Sequence, residues 1–130
     1  MADRIALYYE IVRALRADDD EVTRKYFDPS FTVHEDEGLP YGGVYRGSNA
    51  FIALRKKVSA LFVLKILYVC AEPDGDRIVV VFSATGRPEA PTAAVETTVT
   101  VLWTFRDQVA VEARVIYYDT PKIAAALAAA

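Results

Sequence analysis

Cysteine and histidine are nearly absent from this chain, with one of each among 130 residues. A single thiol, Cys70, cannot form an internal disulfide; lying in an apolar run, it is expected to be a small buried hydrophobe. The lone histidine, His34, stands beside Glu35, Asp36 and Glu37. A metal site needs several well-placed ligands, so none is expected there. Excess positive charge is missing too: 15 Lys and Arg against 18 Asp and Glu give a net charge of −3. That argues against nucleic acid as a partner, since a basic face normally supplies most of that affinity. Long apolar runs are also lacking. The longest, Ala60 to Ala71, is interrupted by Lys65 and falls short of the ~20 residues a membrane helix needs. Met1-Ala2-Asp3-Arg4 leads into a helical pattern rather than a signal peptide, so a cytoplasmic protein is expected.

Core material is plentiful. Apolar residues make up 53% of the chain and aromatics 12%, enough for one domain over residues 1–130 without a disulfide or metal staple. Ile5, Tyr8, Tyr9, Val12 and Leu15 recur at helical spacing, predicting a helix over Asp3 to Arg16. Asp18-Asp19-Asp20 suits a turn and the capped start of a short second helix carrying Val22, Tyr26 and Phe27, which Pro29 would end. Phe31 to Glu35 alternates as a strand, and a glycine-rich loop follows to Gly47. Ser48 would cap a third helix with Phe51, Leu54, Val58 and Leu61 on its buried face, leaving Arg55, Lys56 and Lys57 to solvent. Strands follow at Val63 to Glu72, Arg77 to Thr85, Ala93 to Arg106 and Val109 to Tyr118. Asp119 or Thr120 then opens a last helix with Pro121 in its first turn. No repeat or linker interrupts the order. Helices leading into a run of antiparallel strands predict an α+β class, with a cavity if a curved sheet takes the helices on its concave face.

That order is similar to the nuclear transport factor two-like superfamily, over essentially the whole chain. His34-Glu35 followed by Leu39-Pro40-Tyr41-Gly42-Gly43-Val44-Tyr45-Arg46-Gly47 resembles the "HE…LPYGG.YRG" stretch of its SnoaL-like branch, which includes polyketide cyclases. Tyr117-Tyr118-Asp119, entering a helix, resembles the closing "EYFD" pattern of that branch. The resemblance implies a cone-shaped α+β barrel. Its N-terminal helices would pack on the concave face of a curved antiparallel sheet, with a short C-terminal helix.

The resemblance also puts Glu35 where ketosteroid isomerases of the superfamily carry their aspartate base. The isomerase's two oxyanion donors would fall near Ile11 and Val101, and the epoxide hydrolase's final-strand aspartate at Ile116. Those groups are missing, so the chain is neither enzyme in its familiar form.

Alternation puts Glu35 on the same strand face as Phe31 and Val33, hence inward, and His34 on the other. A carboxylate in an apolar cavity has its pKa raised into the range of a general base. Tyr41 and Tyr45 flank two glycines that could fold a loop over a pocket mouth. Odd positions from Val95 to Phe105 are apolar, so Trp103 is expected to border the cavity. The last strand admits two readings. Its own pattern buries Val109, Val111, Val115 and Tyr117; the family resemblance instead turns Glu112, Arg114, Ile116 and Tyr118 to the pocket. The second reading is the favoured one, and it leaves an apolar sheet face for a homodimer.

The expected function is a cofactor-independent cyclase, isomerase or hydratase acting on a hydrophobic small molecule, with Glu35 as base and Tyr41, Trp103, Arg114 and Tyr118 lining the pocket. A non-catalytic ligand-binding domain, or a protein-interaction module using the sheet face, stands beside it.

Overall fold

The computed structural model describes residues 3–129; Met1, Ala2 and Ala130, which the expected domain includes, lie outside them. Helix α1 (Arg4–Arg16) starts where the Asp3 carboxylate accepts the Ala6 amide at 3.0 Å. Its buried face is Leu7, Tyr8, Ile11 and Ala14, turned from the expected stripe so that Tyr9 is exposed and Val12 and Leu15 are half-buried. Asp19 caps α2 (Asp20–Arg24), accepting the Val22 amide at 3.1 Å.

Two boundaries differ from the sequence pattern. Helix α2 ends before Tyr26, and Pro29 lies inside strand β1 (Phe27–Glu35) instead of closing a helix. The pairing of β1 shifts register between Phe27 and Thr32, an irregular stretch in which a proline's missing amide does little harm. Burying the rings of Phe27 and Phe31 outweighs continuing the helix. The expected loop to Gly47 contains a four-residue strand, β2 (Gly43–Arg46), which pairs antiparallel with β1 from Glu35↔Gly43 to Thr32↔Arg46. Four residues are too few for alternation to register. Gly47, with φ of 87°, occupies the cap of α3 (Ser48–Leu61), and Ser48 is its first residue.

The long meander is β3 (Phe62–Ala71), β4 (Arg77–Gly86), β5 (Glu96–Arg106) and β6 (Val109–Tyr117), followed by α4 (Thr120–Ala128). The strand order is β2-β1-β6-β5-β4-β3, with β1 and β6 parallel and every other pair antiparallel. The result is a curved, unclosed α+β sheet with α1 and α3 packed on its inner face. Val95, Val99, Trp103 and Phe105 are buried and Thr98 is exposed, so β5 follows its alternation. Cys70 is exposed rather than buried, because on the edge strand β3 it belongs to the outward-facing row of Val79, Leu102 and Arg114.

Candidate ligand cavity

A cavity of about 300 Å³ lies between the inner sheet face and helices α1 and α3. Aromatic rings close one end. Phe27 meets Phe31 edge-on at 4.7 Å, Phe51 lies 5.5 Å from Trp103, and Trp103 stacks on Phe105 at 6.2 Å. Tyr8, from the first half of α1, approaches Trp103 at 5.7 Å. The later residues of the same elements form the other end: Leu15 and Arg16 on α1, Val58 and Ser59 on α3, Glu35 on β1 and Tyr117 on β6. Between the ends the wall is apolar, with Val12, Leu54, Ile66, Phe82 and Val101.

Glu35 is the last residue of β1 and points inward behind Phe31 and Val33, only 5% exposed. Its carboxyl accepts the Asp36 amide at 3.2 Å. Burial pushes its pKa up to about 7; the Asp36 amide and the Tyr117 hydroxyl pull the other way by hydrogen bonding, and the Asp36 charge adds a smaller upward push. Among the described residues no cation pairs with Glu35. Desolvation therefore governs this carboxyl.

Behind it stands a pair of phenols. The Tyr41 hydroxyl donates to the Tyr117 hydroxyl at 3.0 Å, and the Tyr117 hydroxyl faces Glu35. Burial drives the Tyr117 phenol well above its ordinary range and Tyr41 up to about 12, so both keep their protons and remain donors at neutral pH. Tyr41 is held by its turn. The Gly42 amide donates to the Leu39 carbonyl at 2.9 Å, the Tyr45 hydroxyl donates to the Tyr41 carbonyl at 2.6 Å, and a Cβ on Gly42 would sit 2.2 Å from the Asp36 carbonyl oxygen. Only glycine fits there.

Three expected pocket residues are elsewhere. Arg114 is exposed on the outer sheet face, where its Nε donates to Glu112 at 2.6 Å. Tyr118, 84% exposed, has left β6 altogether. Tyr41 is 5% exposed and belongs to the core, one residue behind the cavity wall rather than at its mouth. A bulge explains the last strand. Phe105 pairs with Ala110 but Thr104 with Glu112, so Val111 is extra and the inward parity changes across it. Ala110 faces in before the bulge; Ala113, Val115 and Tyr117 face in after it. Neither uniform alternation describes such a strand.

Trp103 lines the cavity, and its indole nitrogen has no hydrogen-bond partner. Sequence reasoning missed Tyr8, Tyr117 and Arg55 as lining residues. Arg55 was assigned to solvent with its two lysine neighbours, yet it follows Leu54 onto the cavity side and pairs with Asp18 at 3.6 Å. One residue is 100° of helix, and a long side chain spans that offset. The described residues hold no group of three or more His, Cys, Asp or Glu placed to bind a metal, and no helix long and apolar enough to cross a membrane.

No family model matches the chain, and no curated protein sequence matches it. Solved structures do. A nuclear transport factor two-like protein from Burkholderia thailandensis superposes with a TM-score of 0.75 at 20% identity, over 98% of both chains. A Xanthomonas campestris protein of unknown function with a cystatin-like fold gives 0.77 at 17% identity, over 96% of this chain and 98% of that one. A Sinorhizobium meliloti protein, provisionally named a polyketide cyclase, gives 0.63 at 19% identity, over 89% of this chain and 95% of that one. The chain thus has the cone fold of nuclear transport factor two-like proteins.

Proposed function

We propose that the chain is a SnoaL-like domain, spanning residues 1–130, that binds a hydrophobic small molecule and moves a proton on it with Glu35 as general base, without metal or organic cofactor. One observation carries this reading: a desolvated carboxyl with a pKa of about 7 on the wall of an apolar cavity. Near neutral pH such a group is about half ionised, and it is a stronger base than an ordinary carboxylate. Glu35 takes a proton from the carbon between a carbonyl and a carbon–carbon double bond, leaving a dienolate, and returns it at the far carbon of that double bond. That is an isomerisation; attack of an enolate carbon on a second carbonyl, whose oxygen then takes the proton from Glu35, is a cyclisation. Tyr117 and Tyr41 hold the carboxylate in place. Tyr8 supports the charge on the enolate oxygen: it lines the cavity one turn before Ile11, and burial keeps its phenol protonated.

The test is hydrogen–deuterium exchange at carbon in a panel of apolar ketones, followed by mass spectrometry in heavy water. Wild type is expected to accelerate exchange in at least one compound, and Glu35→Gln to abolish it. Exchange that survives the substitution removes Glu35 from the chemistry. Ile11 and Val101, apolar where an isomerase carries oxyanion donors, favour the second reading, a binding domain without catalysis; compounds that bind without exchanging would establish it.

A cytoplasmic homodimer associating through the outer sheet face belongs to the same proposal. Tyr68, Val81, Thr100 and Ile116 pair in one row across four strands, and the two end members are 64% and 58% exposed. Light scattering is expected to give twice the 14.4 kDa chain mass at micromolar protein. A single-chain mass at every concentration would defeat the dimer.

A further inference from the structure

Three arginines at exposed or half-buried positions line the cavity, and the proton-transfer reading does not use them. Arg16 ends α1, Arg55 lies on α3, and Arg87 follows β4; all three line the cavity. Contacts draw them together. Asp18, just past α1, pairs with Arg55 at 3.6 Å. Arg87 is anchored at the end of α3, its Nε donating to the Ser59 carbonyl and its amide to the Leu61 carbonyl at 2.9 Å. Ser59 is one helical turn beyond Arg55 and lines the cavity with both arginines. Arg16 makes no salt bridge among the described residues. Its charge lies near the cavity-lining Tyr8, whose phenol it pulls down slightly against burial. A basic residue in the last turn suits the helix dipole, which accounts for Arg16 alone. Arg55 and Arg87 each have one partner, Asp18 and the Ser59 carbonyl, and keep further guanidinium donors free for a ligand.

The lining's one carboxyl is Glu35. A protein of net charge −3 has therefore gathered three permanent cations on the wall of an apolar chamber. Guanidinium groups present planar, paired donors that match a carboxylate. We propose that the ligand is an amphipathic organic anion, its carboxylate held by Arg16, Arg55 and Arg87 and its apolar body in the chamber. This rests on the cavity reading above and adds the substrate's charge. An anchored head also fixes which carbon of the body faces Glu35, so the arginines set the position of reaction as well as affinity.

The experiment compares decanoate with decanol, equal chains with and without the charge, by calorimetry on the wild-type protein and on Arg16→Gln/Arg55→Gln. Both substitutions are at partly exposed positions and leave Arg87's anchoring contacts intact. Decanoate is expected to bind about tenfold more tightly than decanol to wild type, and the double variant to remove most of that margin while leaving decanol unchanged. Rising salt should weaken decanoate alone. Equal binding of the two probes to wild type overturns the anion proposal and leaves the cavity reading standing. A margin that persists undiminished in the double variant also overturns it, because the charge is then recognised elsewhere. Failure of both probes to bind overturns the cavity reading and this proposal together.

Discussion

The two ends of the cavity are built from the same helices and strands, yet they obey different physics. At the closed end, Phe27, Phe31, Phe51, Trp103 and Phe105 fill the space with rings, and stability comes from buried apolar area. Away from those rings Glu35, Tyr117 and three arginines line a space that the protein leaves unfilled, with Tyr41 behind Tyr117. The first end stabilises the fold. The second spends part of that stability on a buried acid with no cation beside it. Binding sites are generally sustained in this way, by a rigid apolar region that outweighs an unfavourable polar one.

Emptying the closed end is expected to have the largest effect. Phe31→Ala removes a fully buried ring that touches Phe27 and Phe51, and should cost about 3–5 kcal/mol in urea unfolding. A loss below about 1 kcal/mol would mean the rings do not set stability, and the contrast between the ends would collapse.

At the other end the sign should reverse. The folded-state pKa of Glu35, about 7, lies above its unfolded value of about 4.3. The folded state therefore holds this proton more tightly than the unfolded state. Wild type loses stability as pH rises from the unfolded pKa through the folded one, and the loss levels off above it. Glu35→Gln removes that loss, so it should match wild type near pH ~4 and exceed it by about 3–4 kcal/mol above pH ~7. Thermal melts across that window read the difference. Parallel curves at every pH would show that Glu35 does not titrate out of place.

The smallest effect is expected for Tyr117→Phe, which keeps the ring and deletes one hydroxyl. Removing that donor should raise the Glu35 pKa above about 7, visible by carbon NMR of the carboxyl. It should also cost about 1–2 kcal/mol, because the Tyr41 hydroxyl loses its acceptor. An unchanged Glu35 titration would reduce the tyrosine pair to packing.

Much of the fold could be read from residue order. Alternation along Phe31-Thr32-Val33-His34-Glu35 placed Glu35 inward, and the odd positions of β5 placed Trp103 against the cavity. Both segments run without an inward-parity change, so a period of two holds along them. The aspartate at position 19 also announced its helix, since capping is a contact within one turn. Where a reading failed, the deciding contact was distant in sequence. The strand's own alternation already gave the inward turn of Tyr117 and the exposure of Arg114, against the favoured family reading; the inward turn of Ala110 follows from one extra residue, Val111, and from pairing with β5. Tyr41 reads as a loop residue because glycines surround it, yet its hydroxyl meets a partner 76 residues away.

Sequence by itself determined the α+β order, the inward face of β1 and β5, and the presence of one acid among apolar neighbours. Those are consequences of local periodicity and composition. Tertiary structure alone decided that Tyr41 stands behind Tyr117, that Tyr117 stands behind Glu35, and that Arg16, Arg55 and Arg87 line one cavity. Each of those depends on where three or four separate elements come to rest, and the energy that places them comes from the core rather than from the residues themselves.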